Sequence, residues 1–225
     1  MKHSRVRFAT ALFSATLLVG MSVSAVSAHD GDRGADHARA RRGLAAAAIA
    51  TARFHSLRQA TAAGYAQPPA PAPLHECISS FDGTGAMGFH FINGPLLDTT
   101  IDPRNPEVLV YEPDRHGRLH LVALEYVIFQ APWIAEHGSQ MPTLFGQMFM
   151  ATGDNNRYDI PAFFSLHVWL WKHNPSGLFA PFNPNVSCDP GSWRDRDGRT
   201  TATAVELRFS CAIDRLPKGA STGRT

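Results

Sequence analysis

The sequence predicts an α+β fold, with an N-terminal helix packed on an antiparallel, barrel-like sheet of about six strands. Three observations predict it. An alanine-rich segment around residue 50 carries apolar residues at helical spacing. Several short apolar runs follow it, set apart by Gly, Pro, Asn and Asp turns. No regular strand–helix–strand alternation appears, which argues against a parallel, doubly wound sheet. The length of 225 residues fits one domain with extensions.

Residues 1–28 read as an export signal. Lys2, Arg5 and Arg7 give a basic start, residues 8–26 are apolar or small, and Val26-Ser27-Ala28 has the small-x-small form of a cleavage site. The run lacks the length and flanks of a membrane-spanning helix. Cleavage after Ala28 removes three basic residues, so 21 basic against 19 acidic becomes 18 against 19, and no basic stripe for nucleic acid remains. A secreted or periplasmic location is expected, with no membrane span after cleavage.

An exported chain is free to form disulfides. Cys77, Cys188 and Cys211 allow one bridge and three pairings. Cys77–Cys188 is the expected pair, because both lie in Pro-, Ser- and Asn-rich connections. Cys211 sits in an alternating segment and reads as a small buried hydrophobe.

Residues 29–43, HDGDRGADHARARRG, are charged and poor in apolar side chains, as in a flexible lead-in. If cleavage exposes His29 as the N-terminus, its amine and imidazole could chelate copper in the manner of a copper brace; the alternative is a plain tail. Residues 44–64 form the helix, with Ala47, Ala50, Phe54 and Leu57 as its apolar stripe and Gly64 as its stop. His55 lies off that stripe. Residues 65–75 are a Pro/Ala linker, extended and unfit for a sheet.

The β-rich core is expected over residues 76–213, with a disordered tail over 214–225. The glycines of 83–88 do not match a phosphate-binding loop, because no Lys-Ser/Thr and no helix follow. They imply a close approach of backbone to a neighbour. Phe89-His90-Phe91-Ile92 is a short strand. Residues 108–112 and 119–129 form a hairpin around Pro113-Asp114-Arg115-His116-Gly117. On its return strand Leu119, Leu121, Ala123, Glu125 and Val127 should share one face, and His120, Val122, Leu124 and Tyr126 the other. Residues 131–142 read as a connection anchored by Trp133 and Ile134. Residues 141–150 hold a further short strand, and 205–213 a last one. The segment 163–177, FFSLHVWLWKHNPSG, alternates so that His167, Trp169, Trp171 and His173 would line one strand face before the Asn-Pro-Ser-Gly turn.

His90, Glu125 and His167 each sit mid-strand among apolar residues, where a buried polar group needs a partner. Two imidazoles and a carboxylate suit a divalent metal, iron, zinc or copper, with positions left open. The signal is diffuse, because the three come from separate strands. The alternative is that each histidine is satisfied by a backbone carbonyl and Glu125 by a basic side chain. His173 and Tyr126 are the candidate catalytic groups; His173 reads equally as a surface residue at the strand end, and for Tyr126 a packed ring is the favoured reading. Trp169, Trp171 and Phe179 would wall a pocket, or simply fill the core. His120 is a further candidate. No Gly-x-Ser-x-Gly element supports a hydrolytic serine at Ser165.

The stretches GAMGFHFIN at 85–93, VALEYVIF at 122–129 and LHVWLWKHNPSGLFAPFNPNVSC at 166–188, with the helix at 50–65, resemble an uncharacterised family of secreted bacterial proteins. The resemblance implies an exported single domain and brings no activity with it. Two functional classes therefore stand: a metal-dependent enzyme acting on a small molecule through a His/Glu site, and a non-catalytic binding protein with an aromatic-lined pocket. An uncovered sheet edge would favour a homo-oligomer in either case.

Overall fold

The computed structural model describes residues 27–188, with side chains described from residue 33. The expected strand at 205–213, the tail, Cys211 and the segment before Ser27 lie outside the described residues. The fold is a mixed helix-and-sheet structure, a six-stranded antiparallel sheet curled into a half-barrel with helices packed on one face. The strands are β1 (Ile78–Ser79), β2 (Ala86–Ile92), β3 (Val108–Pro113), β4 (Leu119–Phe129), β5 (Thr143–Leu144), β6 (Gln147–Met148), β7 (Met150–Thr152) and β8 (Phe163–Val168). The main sheet runs in the order β1-β2-β3-β4-β8-β7, and β5 and β6 form a small separate ribbon.

The N-terminal helix α1 spans Ser27–Thr51, so residues 29–43 are helical and not the expected flexible lead-in. Ala and Arg between residues 38 and 48 are strong helix formers. Together they outweigh Gly31, Gly34 and Gly43. A 3-10 turn (Ala52–His55) and a short helix α2 (Leu57–Ala62) continue the chain onto the sheet. Ala47 and Phe54 of the expected stripe are buried. The Phe54 carbonyl accepts the Tyr111 hydroxyl at 2.7 Å, which locks this corner to β3. The Pro-rich segment is less separate than expected, since Ala66 exchanges two backbone hydrogen bonds with Ile92 at the end of β2. The first part of 131–142, expected as plain connection, belongs to helix α3 (Gln130–His137). Trp133 is its buried anchor, whereas Ile134 is 48% exposed.

β4 is central, and its eight residues from Leu121 to Ile128 are all buried. One irregularity reorganises its faces. Val110 pairs with Ala123 but Tyr111 pairs with Leu121, so Val122 is an extra, bulged residue. The bulge reverses the alternation. Leu121 joins Leu124, Tyr126 and Ile128 on the helix-covered face, while Ala123 and Val127 lie with Val108, Val110 and Phe163 on the other. Leu119 and Leu121 therefore do not share a face with Glu125.

The bulge also explains why β8 stops early. The last ladder pair is Leu124 with Val168, and beyond it the Trp171 amide bonds to the bulged Val122 carbonyl at 3.2 Å. The expected strand through His173 is thus cut at Val168. At the other end of the sheet the glycines make the predicted close approach. Gly88 has φ +116°, and a Cβ there would stand 2.5 Å from the Tyr111 carbonyl oxygen; one on Gly85 would collide with the Asn183 carbonyl. Cys77 and Cys188 are joined as expected, with 5.5 Å between their Cα atoms, which fastens the 183–188 segment to β1. No helix among the described residues is long and apolar enough to cross a membrane.

Candidate metal centre

His90, Glu125 and His167 come together on the face of the sheet turned away from the helices. The register puts them there. Glu125 pairs directly with His167 across β4 and β8, and with Val108 on β3. His90 pairs with Val110 on the far side of β3. Strands lie about 4.8 Å apart, so His90 and Glu125 start roughly two strand spacings from each other. Only Val108 and Val110 stand between them on this face, and the curl of the sheet turns the long side chains inward. His90 Nε2 reaches 3.5 Å from Glu125 Oε2, and His167 Nδ1 reaches 3.4 Å from Glu125 Oε1.

All three are buried, at 2%, 7% and 2% exposure for His90, Glu125 and His167. One ligand atom from each lies within 4.8 Å of the others, so the group could hold a metal ion. Tetrahedral bonds of about 2.0–2.1 Å set ligand atoms about 3.3–3.4 Å apart, and both imidazole–carboxylate separations are close to that. Neither contact satisfies the whole ring. His90 Nδ1 and His167 Nε2 are buried without a hydrogen-bond partner. The expected basic partner is not found, since among the described residues no Lys or Arg pairs with Glu125.

Burial drives the protonation states. It pushes the Glu125 carboxyl up to about 8, against a hydrogen bond from Ser165 that favours the ionised form. It pushes His90 down to about 4. His167 falls to about 3 through burial and, to a lesser degree, the neighbouring His90. At neutral pH both imidazoles are uncharged and keep a free lone pair. A divalent cation would replace the Glu125 proton and compensate the carboxylate charge.

A cleft with a cavity volume of about 120 Å³ opens beside the trio. His90 and Glu125 form its polar end, with Ser165. Its walls are apolar, from Met87, Ile92, Val108, Val127, Phe129 and Phe163 on the sheet and Leu74, Leu97, Tyr158 and Ile160 on the connecting segments. Among the described residues no Lys or Arg lines it.

The structure does not bring the remaining candidates to this cleft. Trp169 is on the right face but is core: its ring lies 6.4 Å from that of His167 at 22°, and its Nε1 donates to the Ala180 carbonyl at 2.6 Å. Trp171 lies on the helix side, edge-on to His55 with ring centroids 4.6 Å apart. Phe179 stacks on Phe145 at 6.3 Å and borders a second recess. Tyr126 points to the helix side and donates to the Pro103 carbonyl at 2.7 Å. His173 is exposed, beyond the end of β8. His120 is exposed on the hairpin, 3.1 Å from the Asp114 carboxylate. The copper brace at His29 concerns a side chain outside those described.

Two buried groups were not signalled by the sequence. Ser165 lies between Phe163 and His167 on the site face, and the strand period alone identifies it. Glu107, 3% exposed, accepts the Val127 amide at 3.0 Å, and burial pushes its carboxyl up to about 8. Beside Pro106 in a turn-rich stretch, nothing marks it as buried. The chain matches no family model, no curated protein and no solved structure, so the functional reading rests on this geometry.

Proposed function

We propose that the protein is an exported metal-dependent enzyme acting on a small, uncharged, largely apolar molecule. His90, Glu125 and His167 hold a divalent first-row ion, iron or zinc before copper. The observation that carries this is the convergence of three buried ligating groups within 4.8 Å. Two imidazoles and one carboxylate leave coordination positions open, and an ion so held polarises a carbonyl or activates water. The cleft leads to the trio, keeps bulk water away and has no fixed cation to attract an anionic substrate. Export is supported by the basic–apolar–small start of the chain and by the Cys77–Cys188 bridge.

The test is elemental analysis of untagged protein, exported by its own signal and purified without chelator, beside His167→Ala. One first-row metal per chain, lost in the variant, is the expected result. Absence of metal from both, with the variant equally stable, overturns the reading. The apolar cleft would then favour a non-catalytic protein that binds a small apolar ligand.

A further inference from the structure

A second recess, also of about 120 Å³, lies at the sheet edge on the far side of His167. Met148, Met150 and His167 line it, with Gln147 and Phe179. The register explains why. Met150 pairs with Ser165 across β7 and β8. Met148, two residues earlier, belongs to the β5–β6 ribbon and borders the same recess as His167. Both methionines border the recess, while the intervening Phe149 is 2% exposed in the helix-side core. The two methionines are 64% and 50% exposed, unusual for a residue that normally packs inside. Opposite them, His167 is 2% exposed. Its Nδ1 is turned to Glu125, and its Nε2 has no hydrogen-bond partner.

We propose that Met148, Met150 and Nε2 of His167 form a binding site for a monovalent copper ion. Thioether sulfur is a soft donor that favours copper(I) over zinc, iron(II) or magnesium, and imidazole is a common third ligand. The donors are uncharged and the recess holds no Lys or Arg, so a single positive charge enters without a competing cation. Copper(I) has a filled d shell and accepts three ligands without a strict geometry. The proposal does not rest on the enzymatic reading, because it uses the other nitrogen of His167 and none of His90 or Glu125.

The test is a copper(I) titration under ascorbate against bicinchoninate, beside a zinc titration, on the untagged full chain. Wild-type protein should take one copper(I) at the Met-x-Met recess. Met148→Leu/Met150→Leu conserves shape and should weaken copper(I) at least tenfold while leaving zinc unchanged. Glu125→Gln should do the reverse, and His167→Ala should lose both. Sulfur scatterers around the copper in X-ray absorption of the wild type would confirm the ligands. Copper(I) bound equally tightly by the double leucine variant, or not bound by the wild type in competition, overturns the proposal. Zinc binding lost from the wild type with copper(I) intact would instead count against the His90/Glu125/His167 site alone.

Discussion

Glu107 is the clearest single-residue consequence of burial. Its carboxyl is raised to about 8 in the folded chain from an ordinary value of 4.5. A raised carboxyl favours the protonated folded state, so its stabilising contribution is complete below about pH 4.5 and is lost as pH rises through about 8. The histidines and Glu125 titrate alike in parent and variant, so the comparison with Glu107→Gln cancels them. In the presence of chelator, Glu107→Gln should therefore flatten the fall in stability between pH 6.5 and 8 by on the order of 1–2 kcal/mol. Denaturant midpoints at the two pH values check it; an unchanged slope would show that Glu107 is ionised when folded. At this scale the trio was legible because His90, Glu125 and His167 each interrupt an apolar strand. Tyr126, Trp171 and His173 were not, because their placement depends on faces and strand ends that lie outside their own segments.

The element that decides those faces is the bulge at Val122. A strict period of two carries Leu121 to the side of Glu125 and prolongs β8 to His173. One extra residue in β4 sends Leu121 to the helix face, and its carbonyl draws the Trp171 amide out of line. Local alternation cannot reveal an unpaired residue on a partner strand. Likewise α1 was read short because charge and glycine suggest a free tail, although the Ala/Arg run beside them sustains a helix. The glycines of β2 were legible as close approaches. Gly88→Ala combines φ +116° with a collision against the Tyr111 carbonyl, so it should destabilise the fold by roughly 2–4 kcal/mol. Gly83→Ala is the control for φ alone, since open space surrounds it. Equal losses for the two, by chemical denaturation, would show that the close approach contributes nothing.

Across the whole molecule, β4 separates two apolar layers. The helices cover one, and the other holds the trio and its cleft, with Val186 of the 183–188 segment packed into it. The Cys77–Cys188 bridge closes a loop of 111 residues, and a loop that long restricts the unfolded chain strongly. Cys77→Ser/Cys188→Ser should cost about 3–5 kcal/mol and loosen the Asn183 contact with β2, where the two residues Ala86 and Asn183 exchange backbone hydrogen bonds at 3.2 and 3.0 Å. Denaturant unfolding and amide exchange at Ala86 measure both effects; a variant as stable as the parent would mean that packing alone holds the segment. The half-barrel and its one helical cover were readable from patterning, whereas the mouth of the cleft was not. Its walls include Leu74, Tyr158 and Ile160, which come from proline-rich and polar stretches whose local composition suggests solvent.

The most direct measurement is a cobalt(II) titration of chelator-stripped protein followed by visible absorption, in parallel with Glu125→Gln. Cobalt(II) takes zinc-like sites, and its d–d bands report the ligand set. The trio predicts saturation at one ion per chain with the intense bands of a low-coordinate nitrogen–oxygen site, and at least tenfold weaker binding in Glu125→Gln. A spectrum that stays that of aqueous cobalt(II), or a saturating site indifferent to Glu125→Gln, would contradict the assignment of His90, Glu125 and His167 as a metal centre.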